Sequence, residues 1–164
     1  MEEKREKADV IIPVYRPDER LFRLLDRLSR QTRMPRKIII MNTERTYWDN
    51  CGAEAQLELL GLSERCEVHH LSKSEFDHGG TRNAGVSFSE TAYFVMLTQD
   101  AVPADTRLLE NLLAPLENGV AEMSYGRQLA NPDADILEKF TRRYNYGDRS
   151  FLKTEADKEK LGIK

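Results

Sequence analysis

Cysteine is scarce. Cys51 and Cys66 stand fifteen positions apart without a CxxC partner, which excludes a zinc ribbon and a disulfide framework and reads as two free thiols in a reducing compartment. Long apolar runs are missing too: those at 10–14, 38–41 and 93–97 fall far short of the roughly 18 residues that span a bilayer. The charged start MEEKREKAD lacks the apolar stretch of a signal peptide, so the sequence reads as a soluble, cytoplasmic chain. Neither sign of charge dominates, with 25 Lys and Arg against 28 Asp and Glu, and no basic cluster is interleaved with aromatics. Counterion release therefore has no footprint, and nucleic acid is excluded as a partner. Neither GxxxxGK[ST] nor GxGxxG occurs, which leaves kinase, ATPase and Rossmann dehydrogenase readings without a motif.

What is present is an alternation of short β-branched runs with amphipathic stretches, the pattern of an α/β domain with a mostly parallel sheet flanked by helices. Strands are expected near Val10–Val14, Lys37–Asn42, Cys66–His70, Tyr93–Thr98 and Ala121–Arg127, each apolar on both faces as parallel strands are. Leu21, Leu24, Leu25 and Leu28 recur at helical spacing, as do Leu108, Leu109, Leu112 and Leu113, with Pro115 and Asn118-Gly119 as the stop of the second helix. A third helix is expected over 135–146, capped by Asp135 with Glu138 reaching back, and a weaker one over 47–60.

In an open parallel sheet, ligands bind where strands end and helices begin. The residues to watch are thus Pro13 to Arg16, then Asn42-Thr43-Glu44, then a loop through His78-Gly79-Gly80-Thr81-Arg82-Asn83, then Thr98-Gln99-Asp100. Two glycines let a backbone approach a ligand, and a helix start with Arg82 beside it suits a phosphate; a tight turn with Arg82 paired to a surface acid is the plainer alternative. Asp100, directly after YFVML, offers the hard oxygen that Mg²⁺ or Mn²⁺ takes while gripping a substrate's phosphates. His78, and Arg127 with Gln128 at the end of the fifth expected strand, are further candidates for ligand contact. Tyr15 and Trp48 could stack on a base, or simply cover core.

The series VIIPVYRP, IIIMN, HGGTRNAGV, YFVMLTQDAVP and YGRQ, over about residues 8–146, resembles the N-terminal half of family 2 glycosyltransferases of the GT-A (Rossmann-like) fold, and within them the bacterial rhamnosyltransferase-like members. The resemblance implies an inverting transferase that binds a nucleotide-diphosphate sugar (UDP- or dTDP-linked, dTDP-rhamnose among them) and passes the sugar to a saccharide or lipid-linked acceptor in bacterial polysaccharide synthesis. It further implies nucleotide contacts from Pro13, Tyr15, Asn42, Arg82, Gln99 and Asp100, a divalent metal on Asp100, and a location in the cytoplasm or peripheral to the inner face of the membrane.

Two positions depart from the family's pattern. Asn42 stands where an acid commonly reads the base; its amide oxygen still accepts the N3–H of uracil or thymine, without charge assistance. Thr98 replaces the first carboxylate of an Asp-x-Asp pair, which leaves Asp100 as metal anchor. The catalytic base of the family lies beyond YGRQ and the helix after it, so the expected organisation is a charged extension over 1–8, a nucleotide-binding region over 9–146, and a charged segment over 147–164 that stops inside the fold. A non-catalytic nucleotide-sugar-binding or scaffolding module is the alternative, with a sugar-phosphate nucleotidyltransferase third.

Overall fold

The computed structural model describes residues 7–161 other than 132. Its elements run β1 (Ala8–Tyr15), α1 (Glu19–Ser29), β2 (Ile38–Thr43), α2 (Arg45–Asn50), α3 (Ala53–Leu59), β3 (Cys66–Leu71), α4 (His78–Ser87), β4 (Tyr93–Met96), α5 (Leu108–Glu117), α6 (Ile136–Asn145), a 3₁₀ turn at Glu155–Asp157 and α7 (Lys158–Leu161). The four strands form one sheet in the order β3-β2-β1-β4. Every pairing is parallel.

Binary pattern explains the layers. Val10, Ile12, Val14, Ile38 and Ile40 point to one face, where the leucine stripe of α1, Trp48 of α2, Leu57 of α3 and Leu109 and Leu113 of α5 close the main core. Ile11, Ile39 and Met41 point to the other face and pack with Ala84 and Val86 of α4. That helix lies close to the sheet because Gly85 has no side chain: a Cβ there would sit 2.6 Å from Ile11 Cγ2 and 3.2 Å from Met41 Cγ.

α1 begins where the Asp18 carboxylate accepts the Arg20 amide. Asp135 does the same for the Glu138 amide at α6. α5 runs on through Pro115 to Glu117, and Gly119 then turns the chain at φ +64°. The expected 47–60 helix is two, broken at Gly52, whose φ of +72° only glycine adopts without strain.

Two expectations are corrected. HGGTRN is not a loop: it is the first half of α4, because Asp77 caps the helix by accepting the amides of Gly79 (3.0 Å) and Gly80 (2.6 Å). Residues 121–127 form no strand. A strand needs a neighbour to satisfy its backbone and cover its side chains, and none pairs with this segment among the described residues; Met123 and Tyr125 face solvent instead. α6 likewise buries none of its described residues, leaving Ile136, Phe140 and Tyr144 exposed.

At the N-terminal edge of the sheet, Asp9 is fully buried and held by five donors. Arg36 grips both carboxylate oxygens (2.9 and 2.7 Å), the Ser89 hydroxyl donates at 2.8 Å, and the amides of Lys37 and Glu90 complete the set. Burial alone would push this carboxyl up, but the Arg36 and Ser89 bonds outweigh it and hold Asp9 below its ordinary value.

Candidate functional site

β1 has β2 on one side and β4 on the other, so the chain reverses direction of winding between β1 and β4. The crevice outside the carboxyl ends of strands at such a reversal is where open α/β sheets bind ligands. The residues delivered there are Tyr15 and Arg16 from β1 and Thr98-Gln99-Asp100 from the loop after β4. They are stitched together: the Tyr15 amide donates to Gln99 Oε1 at 2.9 Å. The Thr98 hydroxyl donates to Asp100 Oδ1 at 2.6 Å, and Ala101 N to Thr98 O closes a tight turn that fixes the carboxylate. Asp100 is exposed, and among the described residues its Oδ2 has no partner.

Tyr15 keeps 37% of its surface open, enough to meet a ligand. Its ring meets Tyr47 edge to face at 5.6 Å, and the Arg16 guanidinium lies 5.2 Å from the centroid of each. Arg16 NH2 also reaches the Tyr47 hydroxyl at 3.3 Å, which holds that phenol below its ordinary value. Arg16 and Glu44, each just past a strand end, both adopt positive φ (52° and 69°), the region non-glycine residues seldom enter. Such strain gathers at binding sites. Pro13, two residues before Tyr15, is half-buried and pairs with Met41 in the sheet.

Asn42 is fully buried. Its Nδ2 donates to the Glu44 carbonyl (3.3 Å) and lies 3.0 Å from His70 Nδ1, which fixes the amide's orientation because a carbonyl only accepts. Oδ1 is then left buried with no partner among the described residues, and so is the hydroxyl of Thr43, the next residue. An orphan acceptor of this kind is what a ligand N–H satisfies, although a ligand reaches it only when its cover moves aside.

The Asn42 contact also defines His70, which must accept at Nδ1 and so be neutral. Burial, and then the nearby Arg45 charge, lower its proton affinity accordingly. A folded pKa below the unfolded value of about 6.5 means that unfolding takes up a proton, so stability is whole above pH 6.5 and is lost as pH falls through the folded value. The urea midpoint is expected to drop between pH 7 and 5 more steeply in the native chain than in His70→Gln, whose amide oxygen accepts without titrating. Parallel slopes would remove His70 from this account.

Arg82 is half-buried, and its NH1 donates back to the His78 carbonyl at 2.6 Å. Asp77 already occupies two amides of the helix start, and those amides hold its carboxyl below the ordinary value, so an incoming phosphate must share or displace it. The His78 ring rests edge-on against Phe76. Arg127 and Gln128 do not lie at the sheet edge. They line a separate groove of about 510 Å³ with Lys139, Arg142, Arg143 and Tyr146, where Arg142 donates to Gln128. Trp48 is 2% exposed and donates its indole N–H to Glu54, so it belongs to the core.

The sequence assigns no role to Arg16 or Thr43 beyond their place at strand ends, and none to Tyr47, His70 or Asp77. Only Asp77, an Asp two residues before a Gly-Gly, carried a readable signal, that of a helix cap.

The family profile described as glycosyl transferase family 2 matches residues 9–164. The chain belongs to this family. It is 33% identical over 159 residues to the O-antigen chain rhamnosyltransferase RfbN of Salmonella typhimurium, covering 96% of this chain and 48% of that protein. It is 31% identical over 157 residues to the O-antigen chain rhamnosyltransferase WbaN of Salmonella anatum, covering 94% and 47%. The family 2 chain thus spans about half the length of these relatives. Among solved structures, the 1–349 portion of TarS from S. aureus superposes with a TM-score of 0.50 at 18% identity, covering 68% of this chain and 32% of that one. The same portion in complex with UDP-GlcNAc gives 0.50, covering 68% and 31%. At that identity the likeness is one of fold, and it is the GT-A architecture expected from the order of the motifs.

Within this glycosyltransferase fold, the described residues include no group of three or more His, Cys, Asp or Glu side chains able to enclose a metal, and no helix long and apolar enough to cross a membrane. Cys51 and Cys66 are free thiols, and burial pushes the Cys66 thiol up to about 12.

Proposed function

We propose that this chain binds a pyrimidine nucleoside-diphosphate sugar in the crevice between β1 and β4, as the donor half of an inverting glycosyl transfer to a saccharide or lipid-linked acceptor. The observation that carries the reading is the Tyr15 N–H···Gln99 bond across the switch point, which ties the end of β1, with its exposed aromatic residue, to the neighbour of Asp100. The names of the Salmonella relatives favour rhamnose as the sugar and an O-antigen chain as its destination, and dTDP is the carrier that the family resemblance suggests.

Tyr15, with Pro13 beneath it, borders the base, and the orphan Oδ1 of Asn42 accepts the pyrimidine N3–H. Arg82 and the start of α4 face the phosphates, and Gln99 keeps the Asp100 turn seated against β1. The donor set fits a divalent cation that brings most of its ligands with it: one exposed carboxylate, steadied by the Thr98 hydroxyl, with an oxygen to spare. Such a cation, when bound to Asp100, neutralises charge on the departing diphosphate. His78, Arg127 and Gln128 are assigned to sugar or acceptor, the latter two through their own groove. No general base is assigned in this chain.

A second reading, a non-catalytic nucleotide-sugar-binding module, is favoured by Thr98 standing where a second metal-binding carboxylate is common. Product formation from donor and acceptor by this chain would eliminate it. Donor binding itself is tested by calorimetry with UDP, dTDP, GDP and ADP: the pyrimidine diphosphates are expected to bind at least about tenfold more tightly than the purine ones, a difference of about 1.4 kcal/mol. Equal affinity for all four would refute the base assignment, and no binding would refute the proposal.

A further inference from the structure

Resting on the donor-binding reading, we propose that Arg16 is a phosphate-binding residue, a cation held against the rings of Tyr15 and Tyr47 that keeps the diphosphate bound without help from a metal.

Position is the first argument. Arg16 is the first residue past β1, at the reversal point, and its neighbour Tyr15 is tied by its amide to Gln99, next to Asp100. Backbone is the second. A φ of 52° on a long side chain is an uncommon conformation that the fold nevertheless imposes here, and it sets the side chain against two aromatic rings.

The third argument is charge. Arg30, Arg33, Arg36, Arg45, Arg107 and Arg142 each lie within 4.0 Å of a carboxylate. Arg16 has no carboxylate partner among the described residues, and unlike Arg65 and Arg82, which also lack one, it donates to no backbone carbonyl there either. Its partners are the two π-faces and the Tyr47 hydroxyl. The rings restrain the guanidinium without neutralising it, and the lowered pKa of Tyr47 reports that unspent charge. A planar guanidinium whose surroundings are aromatic still has N–H donors free in its plane, a fork that matches two phosphate oxygens better than it matches the π-face of a base. Because Thr98 leaves Asp100 as the single carboxylate for a metal, a fixed cation at this edge is what keeps the diphosphate bound when no metal is present.

The test compares uridine and UDP affinity in EDTA for the native chain, Arg16→Lys and Arg16→Asn, with melting curves to confirm that each variant is folded. Asparagine tolerates the left-handed backbone and removes the cation together with its contacts to the two rings, and Arg16→Lys restores a charge without the planar fork. Arg16→Asn is expected to weaken UDP about 10- to 100-fold while leaving uridine unchanged, and Arg16→Lys to recover part of the loss. An equal loss for uridine would make Arg16 a base contact and overturn the proposal. So would UDP binding by Arg16→Asn as tight as that of a native chain that binds it. A native chain that binds no UDP would instead bring down the donor-binding reading on which this one rests.

Discussion

Replacing Asp9 with alanine is expected to destabilise the chain by about 3 kcal/mol, read as a fall in melting temperature of about 6–12 °C. The magnitude follows from what is left behind. Asp9 is fully buried and accepts five hydrogen bonds, two of them from Arg36, which is only about a fifth exposed at its side chain. Breaking a buried pair strands the partner charge at a cost of about 3–5 kcal/mol, and the lower end applies because Arg36 keeps some water and a second acid, Glu90. The pH dependence carries a definite sign. A carboxyl held below its ordinary value stabilises the fold above the unfolded pKa of about 3.9, and that contribution is lost as pH falls through the lower folded value. Asp9→Asn should therefore show a shallower acid limb than the native chain. A loss under about 1 kcal/mol for the alanine variant would mean that the cluster is ornamental to stability.

Gly85→Val is the second large effect, expected near 3 kcal/mol. The first added carbon alone would stand 2.6 Å from Ile11 Cγ2 and 3.2 Å from Met41 Cγ, and both neighbours are buried between strands that cannot move apart without breaking the ladder. Overpacking of that kind costs about 1–3 kcal/mol, and the few tenths by which valine exceeds glycine in helix propensity offset little of it. Gly147→Ala, where an added Cβ meets nothing within 4 Å, serves as the control and should be close to neutral. Chemical denaturation of the two variants measures both. Equal midpoints would show that α4 can back away from the sheet.

Much of this architecture was legible because period and burial reinforce one another. The VIIPVY and IIIMN runs are apolar on both faces and became the two central strands; the leucines of α1 repeat at helical spacing and are all buried. Asp135 announced the start of α6. The AEMSYGR segment shows the limit of the method. Its residues favour a strand, but strand formation is a property of two segments, and no neighbour pairs with this one among the described residues.

Legibility of the candidate site divides the same way. Tyr15, Gln99 and Asp100 could be placed at one edge from strand order alone, and the fold brings them together. The Gly-Gly pair suggests a loop, and only Asp77, two residues ahead of it, turns it into a helix start by capping the amides of Gly79 and Gly80. Asn42 gave no hint that it would be sealed against His70, since only the register of β2 with β3 sets them side by side. Arg16 was least visible of all. Nothing in its residue type forecasts a left-handed backbone, a conformation in which glycine and asparagine are the usual occupants.

Where on the molecule a nucleoside diphosphate binds is the central question, and backbone amide NMR of the labelled chain during a UDP titration answers it most directly. The expected result is saturable shifts concentrated at Tyr15, Arg16, Asn42, Thr43, Arg82, Gln99 and Asp100, with the residues of the α6 groove unmoved. Shifts confined to Arg127, Gln128 and the α6 groove, or no shifts at millimolar UDP, would contradict the assignment of the donor site to the β1–β4 crevice.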